Sequence, residues 1–350
     1  MQNVKYITYN EITTQTRAWK QAIEKTLVVS IPDLSKYDQV LFTGCGSTYY
    51  LSLAAAALCQ ELTGVVSRAV PGGELLLNSQ TVFLSKKDNL QNKTLLVAVS
   101  RSGTTTETVK AVEKFKKEKR GDVIVISNND ESLSELGDIS ILIPEGQEES
   151  VAQTKSFASM YVGATALCAR MAGRIDLVNS LFTLPDAGLR LIQNYEHVAQ
   201  KIGEDLSFDC FYFLGSGIRY GLACEVNLKM KEMTLTHSEP FHFLEFRHGP
   251  MSMVNQNAVI VGMISESNVK HETTVLHEMK TLGGKVVALA ESFSSTLFDE
   301  NISFMSQIPE QVRGVLYLPV LQLMAYYRSL AKGLNPDRPT NLTAVVKLEI

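Results

Sequence analysis

Short apolar runs alternate with stretches of helical periodicity along the first half of the chain. Trp19, Ile23 and Leu27 recur on one face of a helix predicted over 10–28. Buried strands are predicted at 39–44, 94–100, 122–128 and 139–144, and helices at 49–62, from 106 to about 119, and at 150–173. Strands that alternate with helices predict βαβ units, and therefore an α/β fold with parallel sheets.

The same plan returns after a helical connector at 186–206. Strands are predicted at 211–217, 258–265 and 285–291, with helices at 218–234, from about 266 to 282, and at 315–333. The tail, 334–350, has two prolines and no helical period. The predicted organisation is a helical segment (1–33), a first α/β domain (34–185), the connector (186–206), a second α/β domain (207–333) and the tail (334–350).

The two halves share a motif. The pattern F-x-G-x-G-x-x-Y-x-L occurs at 42–51 and again, 171 positions later, at 213–222. At the same spacing Glu61 falls opposite Glu232. We interpret this as an internal duplication, whose two similar units would build one site between them or between subunits.

Composition excludes several classes of function. The chain has 350 residues, a net charge of −4 and 45 % hydrophobic residues, as folded globular proteins do. No basic stripe offers a footprint for nucleic acid, and no apolar run approaches the ~20 residues that span a membrane. Five scattered cysteines predict reduced thiols in a cytoplasmic protein, with neither a disulfide framework nor a zinc site.

Two turns after predicted strands could hold an anion. They are GCGST (44–48) and SRSGTTTET (100–108), and each leads into a helix, whose free N–H groups favour anions. Residues 100–106 of the second turn carry five hydroxyls, on Ser100, Ser102, Thr104, Thr105 and Thr106. Helix capping alone would also explain such residues. Neither a Walker loop nor a complete dinucleotide fingerprint is present, so a phosphate on a small sugar fits best. Arg101 either adds a charge-assisted contact to it or is a solvated surface residue.

Two residues of the second half could move protons. Glu232 lies near the end of an apolar helix, where a carboxylate is suited to acid–base work, or it is an exposed residue paired with Lys229. His248 precedes Gly249-Pro250, so it is either held on a rigid loop for proton transfer or is an ordinary surface histidine. A metal site is not expected, because the histidines nearby lack the helical spacing of a ligand pair.

Five motifs in order resemble the sugar isomerase (SIS) family. They are SRSGTTTET, SVAQTKSF, LKMKE, FRHGP and NPDRPTNL, and the resemblance is nearest to the isomerase half of glucosamine-6-phosphate synthases. It implies two SIS domains, each a five-stranded parallel sheet between helices, in a homodimer without a cofactor. It also implies that sugar-binding residues are Thr48, Ser100, Arg101, Ser102, Thr105, Val151, Gln153 and Lys229. Glu232 matches the glutamate that carries a proton between C1 and C2, and His248 the ring-opening histidine, which the synthase takes from the neighbouring subunit.

The sequence departs from the synthase pattern at several points. Arg101 stands where the synthase has a glutamine, and Gln153 stands where it has a serine. Residue 1 is not followed by the cysteine nucleophile of a glutaminase, so no glutaminase activity is expected. Ala344 stands where the synthase has its Schiff-base lysine, and Lys347 would need a shifted tail to replace it.

These features predict chemistry in which the substrate supplies its own nitrogen. The predicted function is that of an amino-sugar-phosphate deaminase/isomerase, which moves a proton between C1 and C2 and releases ammonia. A fructosamine-6-phosphate deglycase is the alternative enzyme. A non-catalytic phosphosugar-binding module is the alternative of another class.

Overall fold

A computed structural model describes residues 6–83, 93–293 and 298–344. Within those ranges no helix combines the length and the apolar character that crossing a membrane requires. The chain divides into two compact units. The N-terminal unit holds residues 17–148, 155–182 and the described tail after Leu342, and the C-terminal unit holds the described residues up to 16, 149–154 and 183–342. The domain bounds given above stay a prediction.

The first half alternates strands and helices. Its elements are α1 (Ile7–Thr14), α2 (Thr16–Leu27), β1 (Gln39–Gly44), α3 (Ser47–Thr63), β2 (Ser67–Pro71), α4 (Gly72–Leu77), α5 (Ser79–Val82), β3 (Thr94–Ser100), α6 (Thr106–Lys117), β4 (Gly121–Ser127), α7 (Ser132–Leu136), β5 (Ile139–Leu142), α8 (Lys155–Met171) and α9 (Ile175–Leu181).

The second half repeats this arrangement. Its elements are α10 (Leu184–Glu204), β6 (Cys210–Leu214), α11 (Ile218–Thr234), β7 (His237–Phe241), β8 (Ala258–Met263), α12 (Val269–Thr281), β9 (Lys285–Ala290), β10 (Glu300–Ser303) and α13 (Leu318–Ala331).

Each unit is built on one five-stranded parallel sheet. The orders are β2-β1-β3-β4-β5 and, read in the same direction, β7-β6-β8-β9-β10. The central strands β1, β3 and β8 are buried along their whole length, as expected of parallel strands covered by helices on both faces. The predicted α/β class with two five-stranded parallel sheets is therefore confirmed.

The two units repeat each other closely in their first βα turn. Helices α3 and α11 both have 17 residues, and both follow a glycine with positive φ: Gly46 at 57° and Gly217 at 58°. The preceding glycines are also needed, because a Cβ at Gly44 or at Gly215 would lie 2.5 Å from an atom of the helix that follows. The shared spacing in the sequence therefore corresponds to a shared backbone geometry.

Several element boundaries differ from the sequence pattern. The single helix predicted over 10–28 is two helices, α1 and α2, that meet at Gln15. The break follows Thr13 and Thr14, whose hydroxyls donate to main-chain carbonyls one turn back, a pattern that bends helices. The helix predicted from residue 150 begins only at Lys155. Strand β7 (His237–Phe241) has no counterpart among the strands that the sequence pattern predicts.

Candidate functional site

The hydroxyl loop, residues 100–106, follows β3 at the carboxyl edge of the N-terminal sheet. The Thr105 Oγ1 atom lies 3.4 Å from Ser100 Oγ and 3.5 Å from Ser102 Oγ. Ser100 Oγ also accepts from the Gly103 N–H at 3.1 Å, and Ser102 Oγ from the Thr104 N–H at 3.1 Å. Three of the predicted sugar-binding residues thus converge where α6 begins, and this edge is the ligand-binding edge of parallel α/β sheets.

The backbone of the hydroxyl loop requires glycine at 103. Gly103 has a φ of +68°, and a Cβ there would lie 2.9 Å from the Glu131 Cβ. Thr105, which caps α6, makes no side-chain hydrogen bond to the first turn of the helix. The loop therefore presents hydroxyls beside a helix start, an arrangement that suits an anion.

We expect Gly103→Ala to lower the free energy of unfolding by about 1–3 kcal/mol, because it combines left-handed backbone strain with a steric contact. Thermal or urea unfolding measures the loss. Gly73→Ala is the matched control: Gly73 lies in α4 and a Cβ there meets nothing within 4 Å. A Gly103→Ala variant as stable as Gly73→Ala would contradict this account of the turn.

Thr48 and Arg101, the other predicted phosphate-side residues, have protein partners. Thr48 is 3 % exposed; its Oγ1 donates to the Cys45 carbonyl and accepts from the Cys45 N–H, both at 2.9 Å. The Arg101 guanidinium lies 3.4 Å from a buried Glu148 carboxylate and donates to the Ala344 carbonyl at 2.6 Å. Arg101 thus links the hydroxyl loop to the tail, at the residue where the synthase pattern has its lysine. Lys347 lies outside the described residues.

Val151 and Gln153 belong to the segment 149–154 of the C-terminal unit. They precede α8 instead of lying within it, and the Val151 N–H donates to the Asp337 carbonyl at 2.9 Å. Asp337 in turn accepts at its carboxylate from the main chain and the hydroxyl of Thr8, at 2.8 and 2.7 Å. These contacts fix the segment within its own unit.

A buried lysine stands between two carboxylates on α11. The Lys229 Nζ atom, in a side chain only 1 % exposed, lies 3.1 Å from Glu225 Oε1 and donates to Glu232 Oε1. Burial by itself would lower the pKa of Lys229, but Glu225 and Glu232 outweigh it and hold that pKa above its usual value. The lysine is therefore charged at neutral pH, and its stabilising contribution disappears only when the pH rises through that elevated pKa.

The Glu232 carboxylate is accessible, because its side chain is 14 % exposed whereas that of Glu225 is 1 % exposed. Sequence reasoning missed Glu225, although the spacing 225, 229, 232 (i, i+4, i+7) places all three residues on one helix face. The group is a carboxylate held in place by a charged partner, and such a carboxylate can accept and return a proton.

His248 lies on an exposed turn after β7. The main-chain N–H of His248 donates to the Glu245 carbonyl at 3.0 Å. Gly249, the next residue, has a φ of +118°. His248 is an exposed residue. In the described parts of the chain, no three His, Cys, Asp or Glu side chains come together as a metal site would need.

The comparisons with known proteins match this architecture. The SIS domain model matches residues 33–170 and 210–331, one match on each sheet. The chain belongs to the SIS domain family. The two matches confirm the duplication read from the sequence, and the hydroxyl loop and the Lys229 cluster (Glu225, Lys229 and Glu232) lie in different SIS matches.

The curated relatives are longer than this SIS chain. A glutamine–fructose-6-phosphate aminotransferase (isomerizing) from Pyrococcus horikoshii is 30 % identical across 97 % of this chain and 57 % of its own length. The corresponding protein from Sulfolobus acidocaldarius is 30 % identical across 91 % of this chain and 52 % of its own. The chain therefore spans slightly more than half the length of these relatives.

Two solved structures match this chain over nearly the whole length of both proteins. A glucosamine-6-phosphate deaminase from Thermotoga maritima is 27 % identical, with a TM-score of 0.77, covering 97 % of this chain and 99 % of its own. A tagatose-6-phosphate ketose/aldose isomerase from Escherichia coli has a TM-score of 0.83 at 23 % identity and covers 96 % of both chains, which shows a shared SIS fold.

Proposed function

We propose that this SIS protein is a phosphosugar isomerase that acts on an amino-sugar phosphate and releases ammonia. The observation that carries the proposal is the cluster on α11, where a half-buried carboxylate is fixed by a charged lysine. A hydroxyl-rich loop at a helix start supports a phosphate-bearing substrate. The full-length likeness to a glucosamine-6-phosphate deaminase supports the choice of an amino sugar.

In the proposed reaction the hydroxyl loop binds the phosphate through Ser100, Ser102 and Thr105. His248 moves a proton between the ring oxygen and the C1 hydroxyl, which opens the sugar. Glu232 then takes the proton from C2, leaving an enolamine, and returns it to C1. The Lys229 ammonium lies beside Glu232 and stabilises negative charge that develops there.

The C2 imine that results gains water and loses ammonia. The net reaction converts glucosamine 6-phosphate and water into fructose 6-phosphate and ammonia, so no nitrogen donor and no redox group is needed. This chemistry agrees with Ala344 in the tail, because the amine of the substrate itself provides the imine for which the synthase uses a lysine.

The deciding assay incubates the protein separately with glucosamine 6-phosphate and with a fructosamine 6-phosphate. Ammonia and fructose 6-phosphate from the first would support the proposed deaminase. An amine with glucose 6-phosphate from the second, and nothing from the first, would favour the deglycase. Ligand binding without turnover on either compound would favour a binding module and refute the enzymatic proposal.

The phosphate role of the hydroxyl loop makes a separate prediction. Because a hydrogen bond to a charged group contributes about 1.5–3 kcal/mol, Ser102→Ala should raise KM for the phosphosugar about 10- to 100-fold and leave kcat nearly unchanged. Initial-rate kinetics measure both constants. Ser267→Ala is the matched control, since SESNVKHET (265–273) repeats SRSGTTTET (100–108) after 165 positions and places Ser267 opposite Ser102. Equal KM values for the two variants would show that the hydroxyl loop does not bind the substrate.

A further inference from the structure

The loops that follow strands β3 and β4 leave the N-terminal sheet side by side. Ser100 and Ser127, the last residues of these strands, are partners in the parallel register. The hydroxyl loop follows β3. A second segment, residues 127–133, follows β4, and we call it the bracing segment. It has no role in the proposed reaction, but it donates hydrogen bonds to the main chain of the hydroxyl loop.

Asn129 connects the bracing segment to the hydroxyl loop through its side chain. The Nδ2 atom of Asn129 donates to the Arg101 carbonyl at 2.8 Å. The Oδ1 atom of Asn129 accepts from the Gln147 side chain, also at 2.8 Å. Because an amide has one donor end and one acceptor end, only one orientation of this side chain satisfies both contacts. Asn129 is half-buried, and its amide is therefore fixed at both ends.

The main chain of Asn129 is fixed as well. The hydroxyl of Ser127, a buried residue, accepts from the Asn129 N–H at 3.2 Å and donates to the Asn129 carbonyl at 2.9 Å. Gln147 also donates to the carbonyl of the preceding residue, Asn128, at 3.1 Å. With its main chain and its side chain both bonded, Asn129 presents a rigid donor to the hydroxyl loop.

The bracing segment also bonds a second carbonyl of the hydroxyl loop. The Gly103 carbonyl accepts from the Leu133 N–H at 3.0 Å and from the Ser132 hydroxyl at 3.2 Å. The carbonyl groups of residues 101 and 103, which alternate with the hydroxyl-bearing residues Ser100 and Ser102, are thus both engaged by donors of the same neighbouring segment.

This arrangement separates the acceptors of the hydroxyl loop from its donors. A carbonyl oxygen carries a partial negative charge and repels an anion, whereas N–H and O–H groups attract it. The hydroxyls of Ser100 and Ser102 accept from main-chain N–H groups of the loop, so each retains its own proton as a donor. The carbonyls of residues 101 and 103 accept from the bracing segment instead of facing a bound phosphate.

The two braced carbonyls differ in how a substitution would affect them. One donor to the Gly103 carbonyl is a main-chain N–H, which persists whatever side chain occupies position 132. The contact from Asn129 to the Arg101 carbonyl is made by a side chain, so a substitution removes it. The Arg101 guanidinium is bonded to Glu148 and to the Ala344 carbonyl, but these contacts hold the end of the side chain and not the peptide group.

We propose that Asn129 is a positioning residue for phosphate binding. By holding the Arg101 carbonyl, it fixes the peptide group between residues 101 and 102 in the orientation that presents the Ser102 hydroxyl to the phosphate. Without the amide, that peptide group is free to rotate, which displaces the hydroxyl and turns a carbonyl oxygen toward the anion. Asn129 acts through the loop and not by contact with substrate. The inference rests on the phosphate role of the hydroxyl loop in the proposed function.

Calorimetric titration of Asn129→Leu with inorganic phosphate and with glucosamine 6-phosphate tests the proposal, since leucine keeps the approximate shape and adds no charge. We expect both Kd values to rise about tenfold. KM should rise by the same factor, with kcat within about twofold of that of the unaltered protein. Asn78→Leu is the matched control: Asn78 is also half-buried, and its Nδ2 atom donates to the Glu74 carboxylate at 2.8 Å. Its Kd values should not change.

Two further variants separate positioning from a general loss of structure. Asn129→Leu combined with Ser102→Ala should bind phosphate no more weakly than Ser102→Ala alone, because Asn129 acts through the Ser102 hydroxyl. If Asn129→Leu unfolds, Gln147→Ala decides: Gln147 is exposed, and its loss releases one end of the Asn129 amide. We expect Gln147→Ala to raise the phosphate Kd about threefold.

The outcomes distinguish this proposal from the proposed reaction. Phosphate binding that Asn129→Leu weakens, without turnover of any amino-sugar phosphate, would support the positioning role and refute only the reaction. Lower stability with unaltered phosphate affinity, or effects of Asn129→Leu and Ser102→Ala that simply multiply, would overturn the positioning role even if the protein is an active deaminase. The absence of binding of both ligands to the unaltered protein would overturn both.

Discussion

Glu232→Gln is expected to lower kcat by about two to four orders of magnitude, the range that a positioned acid–base group contributes. KM for the amino-sugar phosphate should change little, because the amide keeps the shape of the side chain. The fold should persist, since Lys229 retains its ion pair with Glu225 at 3.1 Å. Initial rates of ammonia release and a separate ligand-binding titration measure the two quantities.

The duplication provides a matched control for this variant. Glu61 occupies the position of α3 that corresponds to Glu232 on α11, and it is exposed. Glu61→Gln should therefore leave kcat unchanged. If Glu232→Gln retained full turnover on every amino-sugar phosphate that the unaltered protein converts, Glu232 would not be the proton carrier.

Lys229→Met is expected to have the largest effect on stability. It removes the cation from a cluster in which Glu225 is 1 % exposed. Breaking a buried ion pair on one side costs about 3–5 kcal/mol, because the remaining charge stays buried after its cation is lost. The free energy of unfolding, measured by urea titration, should fall by that amount, and turnover should fall with it.

A compensating substitution distinguishes charge from packing. In Lys229→Met with Glu225→Gln, the buried negative charge is removed together with its partner, so a large part of the lost stability should return. Turnover should stay low, because Glu232 has still lost its ammonium neighbour. A double variant no more stable than Lys229→Met alone would show that the lysine acts through its packing and not through its charge.

The sequence pattern predicted the interior of both sheets well and their edges poorly. The buried strands β1, β3, β4, β6, β8 and β9 are continuous apolar runs, because helices cover both faces of a parallel sheet. Three of the four edge strands, β2, β7 and β10, by contrast, read SRAVP, HSEPF and ENIS, whereas the fourth, β5, is the apolar ISIL and was predicted. Polar side chains and proline are tolerated at an edge, so β2, β7 and β10 lack the signal that marks a core strand.

The sequence pattern predicted only part of the candidate site, because it detects some positions and not others. The convergence of Ser100, Ser102 and Thr105 follows from their position after a strand, which a local pattern reveals. Glu225 was missed because a charged residue in the middle of a helix is usually solvated, and only its spacing from Lys229 indicates otherwise. The loop at 265–273 was missed because the repeat spacing changes from 171 to 165 between the first turn and this one.

The ion pair Arg101–Glu148 in one half has the opposite polarity to the pair Glu266–Arg313 at the matching positions of the other half. This difference has a consequence for the folding of a duplicated chain. Two similar halves risk forming each other's contacts, which is a characteristic failure of repeated domains. If the loop of one half packed against the segment that belongs to the other, Arg101 would meet Arg313, and Glu266 would meet Glu148. Like charges placed beside the buried Arg313 and Glu148 side chains repel, so the mispaired chain is penalised at both places and the correctly paired one at neither.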